Sequence, residues 1–240
     1  MLEKISIFPK KLSDYRDIIG EERTEEILDL ASPLKDARIV HINATAYGGG
    51  VAEILQALVP LMRDVGLDAQ WQVIQGSDEF FNVTKASHNG LQGMDIPLSE
   101  DMKDIWRRYN RLNAEKFEGE YDIVIVHDPQ PAGLFHYCQS KGARHWIWRC
   151  HIDTSSPNQA YWAFYIPYIN EYPTAIFTMK DYVAPGAKFD HLEIIPPTID
   201  PLSPKNTPIP LEKAKTIISR FGVDINRPLL TQVSRFDPWK

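Results

Sequence analysis

Two rhythms of apolar residues alternate along this chain. Short, nearly continuous apolar runs occupy 37–44, 69–74, 121–127, 144–151, 172–179 and 191–195. Runs of that kind predict strands buried on both faces, as in a parallel sheet. Between them the spacing changes to three and four. Val51, Ile54, Leu55, Leu58, Val59, Met62 and Val65 form one stripe, with Gly66 as the stop. Ser99 caps a second helix that runs to Phe117 and repeats Met102, Ile105, Trp106, Tyr109 and Leu112. Further helices are predicted at 21–34, 79–88, 132–140, 158–170 and 211–221. Strand followed by helix, over and over, implies βαβ units and an open parallel sheet covered on both faces, an α/β fold.

Composition divides this plan into parts. Of 18 prolines, seven lie between Pro196 and Pro228, which marks a stiff connector. Residues 1–35 read as an N-terminal extension carrying an outer helix, and 36–200 as the main domain. Residues 201–240 read as a proline-rich linker leading into one more strand, Pro228–Val233, the start of a second domain. A strand without its sheet would offer an edge for pairing, including with a second copy in a homodimer.

Charge and cysteine content narrow the function. The net charge of -6 argues against a nucleic-acid or anionic-membrane surface. No apolar span has the length of a membrane helix, and no signal peptide is visible. Cys138 and Cys150 suggest neither a metal pair nor a disulfide framework, so a cytoplasmic protein with reduced thiols is expected. Neither a cofactor nor magnesium is indicated.

The chemistry should collect where the strands end, since open parallel sheets bind ligands beyond their carboxyl ends. Asn43 to Gly50 follow the first apolar run, with Gly48, Gly49 and Gly50 opening a helix. Glycine lets a backbone approach a ligand, and a helix start attracts anions. A tight turn that binds nothing is the equal alternative, and the G-x-G-x-x-G spacing is absent. His127, Asp128 and Gln130 follow the third run, and His151, Asp153 and Thr154 the fourth. Amides and carboxylates suit vicinal hydroxyls, so a sugar or polyol fits this set. His127 reads slightly better as a core residue. Asp128 reads equally as a helix cap, and His151 with Asp153 as either a local pair or a functional one. Trp146, Trp148 and the aromatic residues of 161–168 read as packing.

The phrases HINATAYGGGVAEIL, VHDPQPAG and WRCHIDTS, with the closing SRFDPWK, resemble the retaining glycosyltransferases of the GT-B fold. The likeness is nearest to their trehalose synthase and trehalose phosphorylase group and covers nearly the whole chain. The resemblance implies the Rossmann-like, doubly wound N-terminal half of that fold, which binds the acceptor sugar. It places Gly49 and Gly50 by the phosphates of an NDP-glucose donor and His151 beside the transferred glucose. Arg235 and Lys240, spaced R-x-x-x-x-K, would clamp the diphosphate. Asp128, Gln130 and Asp153 would hold acceptor hydroxyls. The family's nucleotide pocket lies in its C-terminal domain, so the 240 residues are expected to be inactive alone. A sugar-binding half-protein and a trehalose phosphorylase are the alternatives.

Overall fold

The computed structural model describes residues 1–138 and 142–233. They fall into two compact units, divided between Ile199 and Asp200.

The first unit is built on seven strands: β1 (Glu3–Lys4), β2 (Arg38–Asn43), β3 (Asp68–Val73), β4 (Tyr121–His127), β5 (Ala143–Cys150), β6 (Thr174–Phe177) and β7 (His191–Ile194). Their order across the sheet is β1-β3-β2-β4-β5-β6-β7, antiparallel at β1–β3 and parallel elsewhere. This is the Rossmann-like α/β sheet that the alternating pattern predicts. From β2 the chain moves outward to β3, then returns to the other side of β2 to form β4. The β2/β4 boundary is therefore the topological switch point, the place beyond whose carboxyl ends open α/β sheets bind ligands.

The helices are α1 (Arg16–Ile19), α2 (Glu21–Ala31), α3 (Gly50–Asp64), α4 (Asp78–Leu91), α5 (Glu100–Lys116), α6 (Leu134–Cys138) and α7 (Gln159–Ile169). Ser77, Ser99 and Asn158 cap α4, α5 and α7 by accepting backbone N–H bonds. Side chains alternate along each strand, so parity assigns them to faces. Val40, Ile42, Val124, Val126, Trp146 and Trp148 point to one face, where α4–α7 bury them under Phe80, Trp106, Leu134, Tyr161 and Tyr165. Trp106 is the hub, with its ring edge against Phe164, Tyr165 and Tyr168. The tryptophans and the aromatic run of α7 are core, as expected. On the opposite face Ala52, Leu55 and Val59 of α3 cover Ala69, Trp71 and Val73, and Ala31 of α2 packs with Ile39.

Two readings change. Residues 1–35 do more than sit outside: Glu3 and Lys4 add an edge strand to β3. Two charged residues carry no apolar pattern, so their pairing is invisible in the sequence. Pro228–Val233 forms no strand, and Leu230 is fully exposed. A strand requires a neighbour to take its N–H and C=O groups, and no described residue supplies one. The second unit, by itself, contains α8 (Leu211–Ser219) and turns, with Gly222 at φ +72° ending the helical segment.

Candidate functional site

The carboxyl ends of β2, β4 and β5 lie side by side, which brings together the groups that the sequence places after each strand. The glycine loop begins at Asn43. Its Oδ1 accepts a hydrogen bond from Trp71 Nε1 at 2.7 Å, and its Nδ2 donates to the Thr45 carbonyl at 2.8 Å. Gly48 adopts φ +77°, in the left-handed region where a side chain is strained. Gly49 is the N-cap of α3, and no side chain caps that helix. A Cβ added at Gly49 or Gly50 would meet nothing within 4 Å. The loop therefore keeps backbone at an open helix start, the arrangement that favours an anion.

Three imidazoles form a row beneath this loop. His41 Nδ1 lies 3.0 Å from His127 Nε2, and His127 Nδ1 lies 2.9 Å from His151 Nε2. The register explains the row. His41 pairs with Ile125, two residues before His127, and His127 pairs with Arg149, two residues before His151. Each contact thus steps one strand across and two residues up, on a shared face. His41 and His127 are buried, whereas His151 is half-buried. His41 Nε2 is buried with no hydrogen-bond partner among the described residues.

Burial and the Arg149 charge hold the row neutral. Desolvation first, then Arg149 and His151, depress His41 from 6.5 to about 3. Desolvation and Arg149 do the same to His151, again to about 3. His127 is driven well below its usual value by desolvation, by its two imidazole neighbours and by Arg149. Arg149 is half-buried, and its guanidinium makes no hydrogen bond or ion pair among the described residues. Its charge is felt by Asp128 and the three rings.

Asp128 is neither a helix cap nor freely presented. It sits at φ +63°, which aspartate tolerates better than most residues. Its amide donates to the Arg149 carbonyl at 2.9 Å, and its carbonyl accepts from Trp148 Nε1 at 3.1 Å. Its Oδ1 accepts the His151 N–H at 2.8 Å. Burial raises its carboxyl to about 7, against the opposing pull of that N–H and of Arg149. Asp128 thus holds the backbone of His151 in place.

Gln130 is half-buried, and its carbonyl accepts from Asn110 Nδ2 at 3.0 Å. Asp153 turns its Oδ1 to the Ser155 N–H at 2.8 Å. His151 therefore bonds to His127 rather than to Asp153. Arg235 and Lys240 lie outside the described residues. Sequence reasoning missed Arg149 and the roles of His41 and His127. The available signal was three histidines of one parity near the ends of three strands.

Among the described residues no group of three His, Cys, Asp or Glu could hold a metal ion, and no helix is long and apolar enough to cross a membrane. Cys138 and Cys150 are free and buried.

Comparison with known proteins adds three findings. Residues 41–184 match the family model described as trehalose synthase, N-terminal domain. Trehalose synthase of Rubrobacter xylanophilus is 50% identical over all of this chain and 59% of its own length. That of Thermococcus litoralis is 49% identical over 96% of this chain and 56% of its own. A trehalose phosphorylase of Pleurotus pulmonarius is 26% identical over 95% of this chain and 36% of its own length. The chain thus spans less than three fifths of these relatives. Among solved structures, trehalose-6-phosphate synthase OtsA aligns with a TM-score of 0.52 at 16% identity, over 78% of this chain and 56% of that one. An E. coli structure described as bound with UDP-2-fluoro glucose aligns with a TM-score of 0.51, over 78% of this chain and 55% of that one. These neighbours give the fold, the N-terminal half of a GT-B arrangement. With the family model matching more than half of its residues, the chain belongs to the trehalose synthase family.

Proposed function

We propose that this chain is the acceptor-binding half of a retaining glucosyltransferase that moves glucose from an NDP-glucose to glucose and so forms trehalose. The observation that carries this reading is the set of polar groups at the β2/β4 switch point. There the open glycine loop follows β2, and Arg149 and His151 stand at the end of β5, one strand beyond β4. The trehalose synthases at about half identity support the product, and the neighbour described with UDP-2-fluoro glucose supports a nucleotide-sugar donor.

In this reading the bond from C1 to the diphosphate oxygen breaks, and a bond from C1 to the acceptor oxygen forms on the same face. The acceptor's proton passes to the departing phosphate oxygen. Gly49 and Gly50 leave room for the donor phosphates, and Arg235 with Lys240 neutralises the leaving diphosphate. His151 lies beside the transferred glucose. Gln130, Asp153 and the remaining oxygen of Asp128 receive acceptor hydroxyls.

Calorimetry of the 240-residue chain with glucose and with trehalose tests the acceptor assignment. Binding without nucleotide, weakened by Asp153→Ala, is expected. No sugar binding overturns the assignment. The chain is also expected to make no trehalose from NDP-glucose and glucose, and ordinary enzyme rates would contradict its half-site character. Cleavage of trehalose supported by phosphate would favour the phosphorylase reading instead.

A further inference from the structure

We propose that His41 and His127 are positioning residues that fix His151 as its Nδ1–H tautomer, so that the half-buried end of the row presents an N–H donor rather than a bare lone pair. The proposal rests on the reading that places His151 beside the reacting sugar.

A neutral imidazole has one donor nitrogen and one acceptor nitrogen. His127 uses both, Nε2 toward His41 and Nδ1 toward His151. The two hydrogen bonds must therefore run in the same direction along the row. In one direction His41 Nδ1–H donates to His127, and His127 Nδ1–H donates to His151 Nε2. His151 then carries its proton on Nδ1, the nitrogen for which the described residues offer no partner. In the other direction every proton moves to the opposite nitrogen, and His151 presents a lone pair.

The buried end of the row decides between them. His41 Nε2 is enclosed and unpartnered in either direction. The first direction leaves it a bare lone pair, whereas the second buries an N–H with no acceptor. In the backbone, orphaned buried N–H groups are rarer than under-satisfied acceptors, and we carry that preference over to the ring nitrogen. At the half-buried end water or ligand can satisfy either form, so that end contributes little to the choice. Asp128 adds rigidity by gripping the His151 amide. With its backbone and Nε2 both held, His151 keeps one nitrogen for a ligand oxygen. A pre-aimed N–H of this kind stabilises negative charge that develops on that oxygen without having to reorient. The sequence holds this arrangement in three residues separated by 86 and 24 positions.

Long-range ¹H–¹⁵N correlation of the imidazoles in the ¹⁵N-labelled 240-residue chain tests the proposal without substrate. Its outcome is therefore independent of whether any glucosyl transfer is seen. At pH 7.5 all three rings should show a protonated Nδ1 and a bare Nε2. A protonated Nε2 on His151, or an imidazolium there, overturns the proposal. His127→Asn keeps a donor near the position of Nδ1 and should preserve the His151 signature. His127→Ala admits water, which favours neither direction, and should return His151 toward the Nε2–H form that predominates in free histidine. An unchanged His151 in the alanine variant, or a lost signature in the asparagine variant, contradicts the positioning role. Should the alanine variant fail to fold, the parent spectrum and the asparagine variant decide.

Discussion

The two ends of β2, β4 and β5 handle polar groups in opposite ways. At the amino ends Asp122 accepts the Arg38 amide at 2.9 Å and stands 3.9 Å from Arg144. The Arg38 guanidinium lies 5.5 Å over the Tyr121 ring. These charges are paired and largely in solvent, so each matters little. At the carboxyl ends the same strands hold two buried imidazoles and one half-buried one beside a guanidinium that has no ion-pair partner among the described residues, and one ring nitrogen goes unsatisfied there. Unpaired buried polar groups cost stability. The difference teaches that the two ends of the same strands meet different constraints: the amino ends keep their charges paired in solvent, whereas the carboxyl ends hold poorly satisfied groups out of water, a pattern expected of functional sites.

Acid should break the contrast most strongly. The three imidazoles are held below their ordinary value of 6.5, so unfolding lets them take up protons as the pH falls below it. Asp128 acts in the other direction. Its folded carboxyl, at about 7, already holds a proton that the unfolded chain takes up only near 3.8. Three protons against one leaves a net uptake of two on unfolding between these limits. Stability should therefore fall by roughly 3 kcal/mol per pH unit from about pH 6 to pH 4.5. Urea titrations across that range check it, and a flat profile would show that the row is solvated.

His127→Leu, which strands a nitrogen on each neighbour, should lower stability by about 2–4 kcal/mol in urea unfolding. Arg149→Met should move the other way, neutral to about 1 kcal/mol stabilising, because it removes a half-buried charge that has no ion-pair partner among the described residues. The same change should raise the His151 pKa, read by NMR titration, and weaken binding of any anionic sugar. At the glycine loop Gly50→Val should shift stability by less than about 1 kcal/mol, since the added side chain enters open space. Its damage should fall on donor-dependent transfer in the full-length enzyme. Smallest of all, Arg144→Ala at the amino end should stay within about 0.5 kcal/mol.

Much of the frame was legible because burial on both faces leaves a plain apolar signature. β4 runs from Tyr121 to His127 as expected, and β2, β3, β5 and β7 differ by one residue at either end. The place of the glycine loop was legible too, since Gly48-Gly49-Gly50 stands directly before an amphipathic stripe and α3 begins at Gly50. β1 was not, because two charged residues become a strand only when β3 accepts them. Arg149 was not, because its position one residue before Cys150 says nothing of what surrounds its guanidinium. His127 read as a core residue, and it is buried, yet it also joins His41 to His151.

By itself the sequence determined the order of β2 to β7 with the main helices between them, the faces of each and the polar groups that follow each strand, because these depend on local spacing and backbone preference. The tertiary structure alone decided which strands are neighbours and in what register. That choice set three distant histidines on one diagonal, left Arg149 without an ion pair among the described residues and turned Asp128 into the clamp on His151. Register is a relation between segments, and a hydrogen bond of about 3 Å across strands depends on it entirely.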